Sequence, residues 1–150
     1  MAYIISQLAA GVVASLAVAA LFGWTKGVAI VAGGTPDVGP ASTPLAALLA
    51  EIIASFFLIF AVWGSAADPR AKNVGGFAIG LTIAADILAV GPISGASMNP
   101  ARSFGPTLIG CMAPGGSILL QHHWIYWVGP IVGGGLAALI YAKFLWPRNA

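Results

Sequence analysis

The sequence predicts an all-α membrane protein, a partial bundle of four membrane-spanning helices plus one re-entrant half-helix. Three observations carry that prediction. Of 150 residues, 59% are hydrophobic and 7% are charged, and mean hydropathy is +0.96. A soluble domain has about 25% charged residues, so this chain could not clothe a water-facing surface. The apolar residues gather into four stretches long enough to cross a ~30 Å hydrocarbon core at ~1.5 Å per residue. Between the third and fourth lies "GPISGASMNPARSFGPTLIG", residues 91–110, whose prolines, glycines, Asn99 and Arg102 do not suit a plain span.

The first span covers residues 2–24. It is uncharged and follows Met1 without the basic start of a signal peptide, so it reads as a true span. Residues 25–43 read as a long link carrying Lys26 and Asp37. The second span, 44–67, has Glu51 as its only charge, and the third, 74–90, has Asp86. The fourth, 124–142, is uncharged. Backbone in lipid must satisfy its own hydrogen bonds, which makes these segments helices. None alternates polar and apolar residues as barrel strands do.

Small residues at helical spacing, Gly76 and Gly80, then Gly129, Gly133 and Ala137, predict places where helix backbones approach closely. Trp24, Trp124, Tyr126 and Trp127 fall near span ends, where an interfacial aromatic belt is expected. The link "DPRAKN" carries Arg70 and Lys72, and the C-terminal end carries Lys143 and Arg148. The positive-inside rule then predicts a multi-pass protein of the cell membrane with both termini cytoplasmic. Six basic residues are too few for a nucleic-acid surface. Cys111 is the only cysteine, which excludes an internal disulfide and a cysteine metal cage. With no nucleophile–base pair and no metal-ligand cluster, neither an enzyme nor a cofactor is expected.

Within residues 91–110, Gly91, Pro92, Gly95 and Ser97 predict a non-helical loop up to about Met98. Asn99 reads as an N-cap and Pro100 as the first helical residue. The helix from Pro100 to Ile109, with Gly110 as its stop, would be ~15 Å long, about half the hydrocarbon core. A loop dipping to the midplane and a half-length helix survive there only inside protein or along a wet cavity. The half-helix would aim its free N–H groups and partial positive charge at the membrane centre. Residues 95–98 would offer carbonyl acceptors. Arg102 is too costly to face lipid and would supply donors and a positive barrier in the passage. Such a passage admits neutral hydrogen-bonding solutes and opposes cations and protons.

The run Gly95-Ala96-Ser97-Met98-Asn99-Pro100-Ala101-Arg102-Ser103-Phe104-Gly105-Pro106 resembles the second signature loop of the aquaporin (major intrinsic protein) family. "HWIYWVGPIVGG", "LAEIIASFFLIFAVWGSAADPR" and "AYIISQLAAGVVASL" are similar to that family's sixth, fourth and third helices. The likeness runs from the third helix to the sixth. It has no counterpart of helices one and two or of the first Asn-Pro-Ala loop, so residues 1–150 look like the C-terminal portion of one channel domain.

The resemblance implies a passive channel for water, a lipid bilayer around it, water or small neutral solutes in it, and a homotetramer. It makes Asn99, Pro100 and Ala101 the pore motif, with Asn99 as central donor. It places Arg102, Ile87 and Ala96 in the selectivity constriction and uses the carbonyls of Gly95, Ala96, Ser97 and Met98 as acceptors. Glu51 becomes the scaffold that accepts hydrogen bonds from the loop, with Gln7 in a related part. Ile87 and Ala96 make a wider, less polar constriction than a histidine would. Ser103, Thr107 and the Tyr126–Trp127 pair lean toward water rather than glycerol. The alternatives are a facilitator of glycerol or another small neutral solute, a truncated non-conducting product, and a secondary transporter, which would need a coupling-ion site. His122 and His123 read as solvated interface, and Asp86 has no assigned role.

Overall fold

The computed structural model describes residues 1–147. Arg148, counted among the C-terminal charges, lies outside the described residues. The described residues form six α-helices and no strand: α1 Ala2–Leu21, α2 Trp24–Gly33, α3 Pro44–Val62, α4 Gly75–Ser94, α5 Pro100–Gly110 and α6 Ile125–Ile140. A π turn, Trp63–Ala67, prolongs α3, and another, Tyr141–Leu145, prolongs α6. Four stretches are long and apolar enough to cross a membrane: Ala2–Leu21, Pro44–Ala67, Gly75–Ser94 and Gly116–Leu145. The chain is an all-α membrane protein.

Packing divides the helices into two groups. α3 lies against α6 and α4, and α1 lies against α5 and α2, which also touches α5. The α3–α6 contact follows from sequence: a methyl added at Gly133 would overlap the Ile52 carbonyl, and one at Gly129 would meet the Glu51 side chain. Ala137 is fully buried along the same face. Small residues thus let two helix backbones close on one another. The other predicted pair does not: nothing lies within 4 Å of a methyl placed at Gly76 or Gly80, and this face of α4 is open in the single chain.

Residues 25–33, expected in a link, belong to α2. Ten residues are too short to span, and tertiary contact supports the helix instead. Val28 and Val31 cluster with Ala19 of α1 and Ile109 of α5, and Gly27 lies directly on the Ala19 backbone. Trp24 accordingly starts α2 rather than ending α1, which stops at Leu21 before Gly23 turns the chain at φ 77°.

α4 continues through Gly91 and Pro92 to Ser94, beyond the expected stop near Val90. A proline interrupts the helical ladder, yet spanning helices tolerate it where neighbours satisfy the freed groups. Pro92 frees the Leu88 carbonyl, and the last-turn carbonyls after it are bonded: Gly39 N donates to Ile93 O at 2.9 Å, and Gly95 N donates to Gly91 O at 2.8 Å. Gly95 then takes the left-handed conformation, φ 77°, as glycine does readily at a helix C-terminus.

Of the four aromatics expected at the membrane interface, Trp24 and Trp124 are about half exposed, whereas Tyr126 is 1% exposed inside the bundle. At the end carrying Arg70, the two π turns are tied together. Arg70 Nη2 and Nε donate to Asp68 at 2.6 and 2.9 Å, Nη2 also donates to Leu145 O at 2.6 Å, and Tyr141 Oη donates to Asp68 at 2.8 Å. These bonds, Arg70's first, hold the Asp68 carboxyl well below the usual carboxylate range.

Candidate functional site

The segment from Ser94 to Arg102 is built on Glu51. This residue sits within α3 and is completely buried. Its carboxylate accepts from Ser94 Oγ at 2.7 Å, Ser97 N at 2.8 Å and Met98 N at 2.7 Å. Successive N–H groups converging on one carboxylate form the kind of backbone concavity that holds anions, filled here by the protein's own side chain. Ser94 Oγ also accepts from Ala96 N at 3.2 Å, and the Ser94 carbonyl accepts from Tyr126 Oη at 2.7 Å.

The loop backbone is strained. Ala96 and Met98 have φ of 47° and 53°, a left-handed region that costs a non-glycine residue about 1–3 kcal/mol. The Glu51 bonds offset that cost. They also leave the loop one-sided. Every N–H from 95 to 98 is engaged, by Gly91 O, Ser94 Oγ and the two Glu51 oxygens. Among the described residues, no hydrogen bond is made to the carbonyls of Gly95, Ala96, Ser97 or Met98. The loop therefore spends its donors on the protein and keeps its acceptors.

α5 begins directly after this loop. Asn99 is extended, φ −154°, and its Oδ1 accepts from Ala101 N at 2.9 Å and Arg102 N at 3.4 Å. Pro100 occupies the first helical position, where its missing N–H costs nothing. The helix has eleven residues, ~16 Å. Its lower half is pressed on α1, since a methyl at Gly105 would overlap the Gly11 backbone and one at Gly11 would meet the Ala101 carbonyl. Asn99 is exposed, Pro100 is partly buried and Ala101 is buried. Asn99, Pro100 and Ala101 border one cavity together with Gln7 and Trp127.

Arg102 is exposed, and its Nη1 donates to the Gly34 carbonyl at 3.5 Å. It borders a separate cavity of ~430 Å³ between α1, α2 and α5, walled largely by apolar residues such as Ala14, Val18 and Ile30. Ile87 stands on α4, half exposed. Ala96 is buried, packed with Ala54 and Met98. Asp86 is 8% exposed between α3 and α4, and among the described residues its Oδ2 has no hydrogen-bond partner. Gln7 borders the Asn99 cavity rather than reaching the loop through a hydrogen bond.

The two histidines, expected in solvated interface, are both engaged. His122 Nδ1 lies 3.1 Å from Asp37 Oδ1. His123 Nδ1 lies 3.1 Å from Thr107 Oγ1, and its Nε2 accepts from Trp127 Nε1 at 3.0 Å. The segment after α2 roofs the site: besides Gly34 and Gly39, Pro36 lies where a methyl on Gly95 would go. Sequence reasoning gave no sign of the Tyr126 bond to Ser94, of the His123 bond to Thr107 or of this roof. The sequence signals were present only as polar groups beside the half-helix, with no spacing rule to pair them.

Comparison with known proteins shows the family. The family model described as "Major intrinsic protein" matches residues 1–141. The chain is 50% identical over 103 residues to a probable aquaporin, TIP3-2, of Arabidopsis thaliana, covering 67% of this chain and 36% of that protein. It is 43% identical over 142 residues to aquaporin TIP4-4 of Zea mays, covering 93% and 51%. A probable aquaporin, TIP-type, of Medicago truncatula is 40% identical over 145 residues, again covering 93% and 51%. The chain thus spans about half, or less, of the length of these curated relatives. A half-length helix with an Asn-Pro N-terminus, a loop held on a buried acid and a family match over nearly the whole chain converge: this protein belongs to the major intrinsic protein family.

Proposed function

We propose that residues 1–150 are the C-terminal portion of a single channel domain, supplying one half of a passive pore for water. The observation that carries this reading is the one-sided loop. With its N–H groups satisfied by Glu51 and Ser94, the carbonyls of residues 95–98 are left as a ladder of acceptors, and the loop ends at the Asn99-Pro100-Ala101 helix start. A water molecule leaving bulk needs such substitutes for its hydrogen bonds, and Asn99 offers a donor where the ladder ends. Arg102, Ile87 and Ala96 form this half's share of the constriction. The guanidinium donates to the solute and repels cations, while Ile87 and Ala96 set width and polarity. Glu51 is the scaffold and takes no part in proton transfer.

The positive-inside rule supports cytoplasmic termini: Arg70 and Lys72 lie in the link after α3, and Arg70 bonds the end of α6, which carries Lys143. The family's tetramer, with one pore per subunit, is the assembly in which this half would work. Water is favoured over glycerol by resemblance alone: Ser103, Thr107 and the Tyr126–Trp127 pair stand where the family's glycerol-conducting members typically carry other residues.

A complete pore needs a second half-helix entering from the opposite membrane face, and copies of this chain in one orientation cannot supply it. The chain alone in proteoliposomes should therefore give no selective water conduction, while co-reconstitution with a family N-terminal half carrying its own Asn-Pro-Ala loop should restore it. Stopped-flow light scattering under an osmotic gradient, with glycerol in parallel, is the test. Rapid selective swelling from the chain alone, or none with the added half, would overturn the reading.

A further inference from the structure

His123 does not belong to the loop or the constriction, yet both ring nitrogens are occupied. An indole N–H only donates, so Trp127 Nε1, 3.0 Å away, requires a bare Nε2. The ring proton is thereby assigned to Nδ1, where it is donated to the Thr107 hydroxyl at 3.1 Å. Phe104, one turn earlier on α5, packs against both rings, with centroids 6.2 Å from His123 and 6.3 Å from Trp127.

The placement matters because of what α5 otherwise touches. It rests on α1 and α2 and has little contact with α6. The Thr107–His123–Trp127 relay is its side-chain hydrogen-bonded link to that helix. Thr107 and Arg102 share one short rigid helix, five residues or ~7.5 Å apart along its axis, so a shift at Thr107 is transmitted to the guanidinium. Resting on the channel reading above, we propose that neutral His123 is a positioning residue that fixes α5, and with it Arg102, against α6, and that protonating His123 unseats its ring from Trp127 and so loosens this tether.

The sign follows from the donor count. An imidazolium carries N–H on both nitrogens, so its Nε2–H would face the Trp127 N–H as donor against donor: that bond is lost, and the ring, still donating from Nδ1 to Thr107, is no longer seated on Trp127 of α6. Few charges compete nearby. On α5 the charged side chain is Arg102, turned toward Gly34. His122 is taken by Asp37. Ile125–Ile140 and Ala2–Leu21 carry no charged residue, Tyr126 is bonded to Ser94 O, and Lys26 lies eight residues before Gly34 at the far end of α2.

The test is nitrogen-15 NMR of the chain in lipid nanodiscs, labelled at histidine and arginine, with a His122→Gln variant to assign the two rings. At neutral pH the His123 ring should be protonated on Nδ1 in preference to Nε2 by about tenfold, as the one bond that distinguishes the tautomers, from Trp127 to Nε2, would give, since the Thr107 hydroxyl can serve either. As pH falls through the imidazole range, about 8 to 5, the Arg102 Nε–H resonance should move with the His123 titration. In His123→Gln, which keeps a neutral donor and acceptor of similar reach, the Arg102 resonance should stay near its neutral-pH position throughout. Predominant Nε2–H protonation of the unmodified chain, or an Arg102 resonance indifferent to the His123 titration, would overturn the proposal. Neither measurement reads conduction, so a negative result would remove the tether and leave the channel reading standing.

Discussion

Replacing Glu51 with Gln isolates the loop's support, because the side chain keeps its shape and loses one acceptor. In the native site Glu51 Oε1 accepts from Ser94 Oγ and Ser97 N, and Oε2 accepts from Met98 N at 2.7 Å. A glutamine can satisfy the first pair with its carbonyl, but its NH₂ then faces the Met98 N–H. The Met98 donor, on a residue only 8% exposed, is left without a partner, which costs about 1–3 kcal/mol, and a carboxylate hydrogen bond of about 1.5–3 kcal/mol disappears with it. Met98 also sits at φ 53°, a conformation the lost bond was helping to hold. These contributions overlap, so about 2–4 kcal/mol of local stability is expected to go. Hydrogen–deuterium exchange by NMR in nanodiscs reads this directly. The Met98 amide should exchange at least ~30-fold faster in Glu51→Gln, the factor corresponding to ~2 kcal/mol, while amides in the middle of α6 keep their protection. Met98 exchange within about threefold of the native rate would refute the claim that Glu51 is what holds the loop.

Three further outcomes are expected. In the complemented channel, Arg102→Val should raise proton and glycerol leakage relative to water, and unchanged permeability ratios in proteoliposomes would remove Arg102 from the constriction. Gly133→Val should destabilise the bundle by about 1–3 kcal/mol or more through overlap with the Ile52 backbone, whereas Gly80→Ala should not, because its neighbourhood is empty; midpoints of SDS-induced unfolding compare the two. Asp68→Asn should destabilise the chain near neutrality. Because Asp68's carboxyl is held below its ordinary range in the fold, its contribution is full above the unfolded value of about 3.9 and fades as pH falls toward the lower folded value. The gap between native and variant thermal unfolding should therefore close in strong acid and stay constant from pH 5 to 7.

The parts of this protein that were legible in its sequence are those whose physics is local. Lipid allows no unsatisfied backbone, so runs of apolar residues with Glu51 or Asp86 as a lone charge had to be helices. Asn99 and Pro100 mark a helix start because an extended cap with a side-chain acceptor and a residue lacking N–H suit the first turn in any context. Gly129, Gly133 and Ala137 announced a close helix contact but not its partner, and Gly76 and Gly80, with the same spacing, face empty space in this chain. Spacing records which residues share a helix face, and only the placement of the other helices decides what that face meets. The same limit hid α2, whose ten residues are held by Ala19 and Ile109 from elsewhere in the chain. It also hid how α4 ends past Pro92, where Gly39 from another segment bonds the Ile93 carbonyl. Tyr126 and His123 read as interfacial side chains because their sequence neighbours are aromatic and apolar. Their roles come from Ser94 and Thr107, residues 32 and 16 positions away. A hydrogen bond between distant segments leaves no mark in either one until the fold brings donor and acceptor within 3 Å.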